Sequence, residues 1–145
     1  MRASGRLDTA RLSEAERTWR LLVELVMETR GEWRRKVVEA TGLPFSRVRA
    51  LWRLEHGPWT LAELAQQMGT DAPATTVLVD ALEQRGLVKR MPHPTDRRAK
   101  QVSITAAGRR IVDIVEKIGD PPPAAFERLP DVELRRLRAT LEKTS

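Results

Sequence analysis

Apolar residues recur at helical spacing along the first part of the chain. Trp19, Leu22, Val26, Trp33 and Val37 follow one another at intervals of three, four, seven and four, a single stripe on a long helix. Ser13-Glu14-Ala15-Glu16 opens it as a capping box, Ser13 the N-cap and Glu16 reaching back, and it ends before Gly42. At ~1.5 Å per residue such a helix spans about 40 Å. That exceeds what a small core can cover, so the stripe is expected to pack against a second subunit as well. The residues before Ser13 read as a loose arm.

Pro44 opens a second helix with Phe45, Val48, Leu51, Trp52 and Leu54 as its apolar set, ended by His56-Gly57-Pro58. Thr60-Leu61-Ala62-Glu63 is another capping box and starts a short helix that stops at Gly69. A third start follows at Thr70-Asp71-Ala72-Pro73, with Asp71 or Thr70 as cap and Pro73 in the first turn. This helix is expected to run to Arg85 with Val77, Leu78, Ala81 and Leu82 on its buried side. The period then changes. Leu87–Met91 and Lys100–Ile104 read as short strands, and Pro92 and Pro94 bound the loop between them. Thr105 caps a further helix through Ile111, Ile114, Val115 and Ile118, which Gly119-Asp120-Pro121-Pro122-Pro123 breaks. A last helix follows Pro130-Asp131, with Leu134, Leu137 and Leu141 inward and Arg135, Arg136 and Arg138 outward.

The predicted fold class is mainly α with a small β-hairpin wing: a winged helix-turn-helix flanked by N- and C-terminal helices. A helix over 72–85 is narrow enough for the major groove of DNA, while the helix over 61–68 crosses the backbone. The hairpin loop then reaches the neighbouring minor groove. Charge supports this reading. Between Arg85 and Arg110 lie eight cations and one acid, so that stretch carries +7 of a chain total of +6. In the loop HPTDRRAK, Arg98 is expected to enter the narrow, negative minor groove. Asp96 is expected to hold the Arg98 guanidinium by a hydrogen bond.

Other functions find little support. The 145 residues suit one domain with a respectable core, and 41% are hydrophobic. There is no cysteine, which excludes disulfides, thiol chemistry and thiolate zinc sites. His56 and His93 lie in turns, and no metal or cofactor site is read. No Ser/His/Asp arrangement or phosphate-binding glycine loop suggests an enzyme. The apolar runs are too short to span a membrane and no signal peptide is visible, so a cytoplasmic protein is expected. Two alternatives stand beside sequence-specific binding: a winged-helix protein–protein adaptor, and a nonspecific DNA binder.

Asp96-x-Arg98 followed by Ile104-Thr105-x-x-Gly108 resembles the wing signature of the MarR family of bacterial transcriptional regulators. GPWTLAELAQQMG and LVDALEQRGLVKR resemble the family's helix-turn-helix and its exit into the wing. The likeness is close over Leu51 to Gly108 and extends to the flanking helices in arrangement only. It implies a single MarR-like domain over 1–145. Residues 13–42 and 106–145 would be dimerisation helices, and 44–105 a DNA-binding lobe with its wing at 87–105. It also implies a homodimer on double-stranded DNA, repressing from a pseudo-palindromic operator and released by a small aromatic or acidic effector.

The candidate DNA contacts are Asp96, Arg97, Arg98 and Lys100 on the wing, and Ala72, Pro73, Thr75 and Thr76 on the recognition helix. Thr60, Lys89 and Arg90 are candidate phosphate contacts. Trp52 and Trp19 are candidate walls of an effector pocket, against the plainer reading of tryptophans on helical stripes as core or interface. The sequence departs from the family in two places. Its recognition helix has no cation before Arg85, which removes bidentate Arg–guanine readout. A triple proline also interrupts its C-terminal helices.

Overall fold

A computed structural model of the chain describes residues 12–145; residues 1–11 of the anticipated arm lie outside them. Two compact units form: the residues up to Trp33 together with Asp120–Ser145, and Arg34–Gly119. The long helix α1 (Glu14–Thr41) contributes to both.

In the first unit α1 begins as its sequence requires. Ser13 Oγ accepts from the Glu16 amide at 3.2 Å, and the Glu16 carboxylate accepts from the Ser13 amide at 2.8 Å. The Ser13 amide, and after it the Ser13 hydroxyl donating at 2.9 Å, hold the Glu16 carboxyl below the usual carboxylate range. Trp19, Leu21, Val26 and Met27 are exposed, and Val37 is the one buried residue of α1. Beyond the triple proline come a short helix α6 (Ala124–Glu127), not anticipated from the sequence, and α7 (Asp131–Glu142). No residue of α7 is buried. Leu134 and Leu137 are half-buried, while Leu141, also expected inward, is exposed. Arg30 bridges to both carboxylate oxygens of Asp120 at 3.0 Å and lies 5.6 Å from the Trp33 ring centroid.

The second unit adds α2 (Phe45–Leu54), α3 (Leu61–Met68), α4 (Ala72–Gln84) and α5 (Ala106–Ile118) to a small sheet. That sheet has three strands, not the two of the expected hairpin. Beside β2 (Val88–Pro92) and β3 (Lys100–Ile104), Trp59–Thr60 forms β1, and the antiparallel order is β1-β3-β2. A two-residue strand is too short to show a period of two, which is why only the cap at Thr60 was legible. Val102 on the central strand pairs with Trp59 on one side and Arg90 on the other. Leu43, Val48, Leu51, Leu54, Leu64, Val79, Leu82, Val88, Val102 and Val112 are nearly inaccessible and make up the core.

The Ile104-Thr105-x-x-Gly108 motif proves to be a steric lock. Thr105 Oγ1 caps α5 by accepting from the Gly108 amide at 3.1 Å, and donates to the Gly86 carbonyl at 2.7 Å. The Thr105 amide donates to the Leu87 carbonyl at 3.1 Å. Gly108 sits so close beneath that carbonyl that an added Cβ would lie 2.3 Å from the Leu87 oxygen. The start of α5 is thereby fastened to the turn between α4 and β2.

Candidate nucleic-acid interface

Helices α3 and α4 form the helix-turn-helix. The α3 box is complete: Thr60 Oγ1 accepts from the Glu63 amide at 3.2 Å and Glu63 accepts from the Thr60 amide at 2.8 Å. Thr60 therefore serves first as a cap, its hydroxyl proton still available to a phosphate. Gly69, in the left-handed conformation with φ +63°, ends α3. Asp71, not Thr70, caps α4, accepting from the Ala74 amide at 2.8 Å.

The face that α4 buries differs from the expected one. Thr75, Val79 and Leu82 are inaccessible, and Val77, expected inside, is 70% exposed. The run TVLVDAL is apolar nearly all round the helix, so its sequence alone does not choose a face. Consequently Thr75 is no base contact. It is 2% exposed, its hydroxyl donates to the Asp71 carbonyl at 2.8 Å, and its oxygen meets Thr70 Oγ1 at 2.9 Å. Ala72 and Pro73 are exposed as expected. Thr76 is half-buried, and its hydroxyl donates to the Ala72 carbonyl at 3.0 Å, which leaves a methyl and oxygen lone pairs for a ligand.

The wing is stiffened by groups that sequence reasoning misassigned. Asp96 Oδ1 accepts from the backbone amide of Arg98 at 2.9 Å, not from the guanidinium. It orders the loop and leaves the Arg98 side chain free, because a short carboxylate reaches its own backbone two residues on more readily than a long guanidinium tip. His93, read only as a turn residue, accepts with Nδ1 from the amides of Thr95 at 3.2 Å and Asp96 at 3.0 Å. A histidine spaced two and three residues before those amides was the available signal. Arg97, Arg98 and Lys100 are exposed, and none makes an ion pair among the described residues.

Arg90 is the second correction. Strand register places it, with Val102, on the face of the hairpin turned toward α4. There its guanidinium donates to Glu83 at 2.8 Å and Asp80 at 2.5 Å, and its amide donates to Glu83 at 3.2 Å. The Asp80 bond above all raises the guanidinium pKa beyond its ordinary value. Arg90 ties the wing to α4, its charge matched by two carboxylates. Lys89, one residue earlier, is exposed on the opposite face of the hairpin. Arg90→Ala is therefore expected to cost only about 0.5–1 kcal/mol of stability, as a partly exposed pair does. In a DNA titration it should leave the salt slope unchanged, whereas loss of a phosphate contact lowers that slope by about 1.

The two tryptophans proposed for an effector pocket fall in different units. Trp52 on α2 is 41% exposed and Trp19 on α1 is 67% exposed. Among the described residues, no group of acidic or histidine side chains is arranged to hold a metal ion.

Comparison with known proteins agrees with this geometry. The model of the MarR family matches residues 45–100, from the start of α2 to the first residue of β3. The HTH-type transcriptional regulator YsmB of Bacillus subtilis is 30% identical over 93 residues, 63% of this chain and 64% of that protein. The HTH-type transcriptional repressor IacR of Pseudomonas putida is 27% identical over 109 residues, 74% of this chain and 65% of that protein. The chain thus spans just under two thirds of the length of each. Among solved structures, CouR from Rhodococcus jostii RHA1 bound to p-coumaroyl-CoA is 31% identical with a TM-score of 0.59, covering 86% of this chain and 88% of that one. With the family model matched over 45–100 and a 31% identical regulator structure covered over most of its length, the chain belongs to the MarR family.

Proposed function

We propose that the protein is a sequence-specific transcriptional regulator, a repressor that binds a pseudo-palindromic operator as a homodimer. One observation carries this reading. The exposed cations Arg97, Arg98 and Lys100 sit on a loop whose backbone Asp96 and His93 hold in place, beside a recognition helix braced to the same hairpin by Arg90. A protein–protein adaptor has no need to gather unpaired cations there. Family membership supports a regulator rather than an enzyme. Repression is supported by the name of IacR.

Dimerisation through 13–42 and 106–145 is supported by the apolar residues that one chain leaves exposed, Trp19, Leu21, Val26 and Met27 on α1 and Val132 and Leu141 on α7. A two-fold dimer sets half-sites about 10 bp apart. Release by a small aromatic or acidic molecule takes its support from CouR, whose structure is bound to p-coumaroyl-CoA. No described helix is long and apolar enough to cross a membrane, and a DNA-binding partner fits a cytoplasmic place.

The test is selection of bound duplexes from a random pool, with the binders retested across a salt series. Enrichment of a two-fold symmetric site with A·T-rich flanks and a steep salt slope is the expected result. Weak binding to all sequences alike would leave only a nonspecific binder, and no binding would favour an adaptor.

A further inference from the structure

The outer face of α4 carries no cation and, over its first two turns, few side-chain hydrogen-bonding groups. Pro73, Val77, Asp80 and Gln84 follow one another at spacings of four, three and four along it, with Thr76 beside them. Pro73 has no N–H, and the Ala74 amide is taken by Asp71. The Thr76 proton is committed to the Ala72 carbonyl, and the Asp80 carboxylate to Arg90. The bond takes Oδ1 of Asp80, so the polar side chains that remain, Asp80 and Gln84, lie beyond the first two turns of the helix.

Val77 stands in the middle of this face, 70% exposed, the most open large apolar side chain of its unit, where Trp52 follows at 41%. A single exposed valine on a helix is ordinary. Here it is the largest uncommitted group at the centre of a surface flanked by unpaired wing cations, a charge arrangement that suits a nucleic-acid duplex.

We infer that Val77 is a specificity-determining residue that reads the 5-methyl group of thymine in the major groove by apolar contact, with the Thr76 methyl beside it. The inference rests on the DNA-binding reading above. The thymine methyl is the one apolar feature among the base edges of that groove, and cytosine lacks it. A helix with no arginine, asparagine or glutamine side chain in its first two turns discriminates by this feature or hardly at all.

The experiment takes the selected operator and replaces each thymine singly by deoxyuridine, which removes only the methyl. Each duplex is titrated with the wild-type chain and with Val77→Ala, a surface change that leaves the core intact. In the wild type, one position in each half-site should lose about four-fold in affinity on deoxyuridine substitution, the ~0.8 kcal/mol of one buried methyl. In Val77→Ala the same substitution should change affinity less than two-fold. Uniform binding of all deoxyuridine duplexes by the wild type would overturn the inference while leaving the regulator reading intact. So would an undiminished loss in Val77→Ala. Failure to select any site would overturn both.

Discussion

Arg98→Ala is expected to weaken operator binding by about ten-fold or more and to lower the slope of log affinity against log salt by about 1. Arg136→Ala, on α7, should leave both quantities unchanged. The reason lies in what each guanidinium lacks. Arg98 is exposed and without an ion-pair partner among the described residues, so its charge is available to a phosphate. Its backbone is meanwhile ordered by Asp96 through the 2.9 Å bond from its amide. Asp96→Ala should then weaken binding by less than Arg98→Ala and leave the salt slope unaltered, because the cation remains and only its placement loosens. Fluorescence titration of a labelled duplex across a salt series distinguishes the two. Equal losses at Arg98 and Arg136 would count against the wing as the point of contact.

Gly108→Ala is expected to have the largest effect on stability, about 3 kcal/mol, with loss of DNA binding only in proportion to the unfolded fraction. The added methyl would lie 2.3 Å from the Leu87 carbonyl oxygen and 2.7 Å from Ile104 Cγ1. Neither can withdraw easily. The Leu87 carbonyl already accepts from the Thr105 amide at 3.1 Å, and Ile104 is buried at the end of β3. Overpacking of this kind typically costs 1–3 kcal/mol and more where backbone must move. Chemical denaturation of the full chain measures it. A variant as stable as the wild type would show that α5 can slide away from the α4–β2 turn.

How much of this was legible in the sequence depended on whether the deciding interaction was local. The caps at Ser13, Thr60, Asp71 and Thr105 bond to residues three positions away, so short strings announce them. Strand β3 and its alternation were legible for the same reason. The buried face of α4 was not, because Val77, Leu78 and Val79 are alike in polarity and only packing against the rest of the lobe selects Val79. That one choice also moved Thr75 from the candidate contacts into the core. Arg90 was misread because its partners lie seven and ten residues earlier on another element, where sequence supplies cations and acids but not their pairing. Asp96 was expected to hold the Arg98 guanidinium and accepts instead from the Arg98 amide, a backbone partner that a pairing of charges does not suggest.

The Arg90 clamp has a consequence for the genome as well as for the protein. On the proposed reading, with α4 and the wing joined through two carboxylates, each lobe would measure a fixed interval along the duplex, as a caliper does. A base pair inserted between the groove read by α4 and the flank touched by Arg98 would rotate that flank by about a tenth of a turn, out of reach of a loop that cannot follow. Mutation could then change the letters of such an operator gradually, while its internal spacing would resist change.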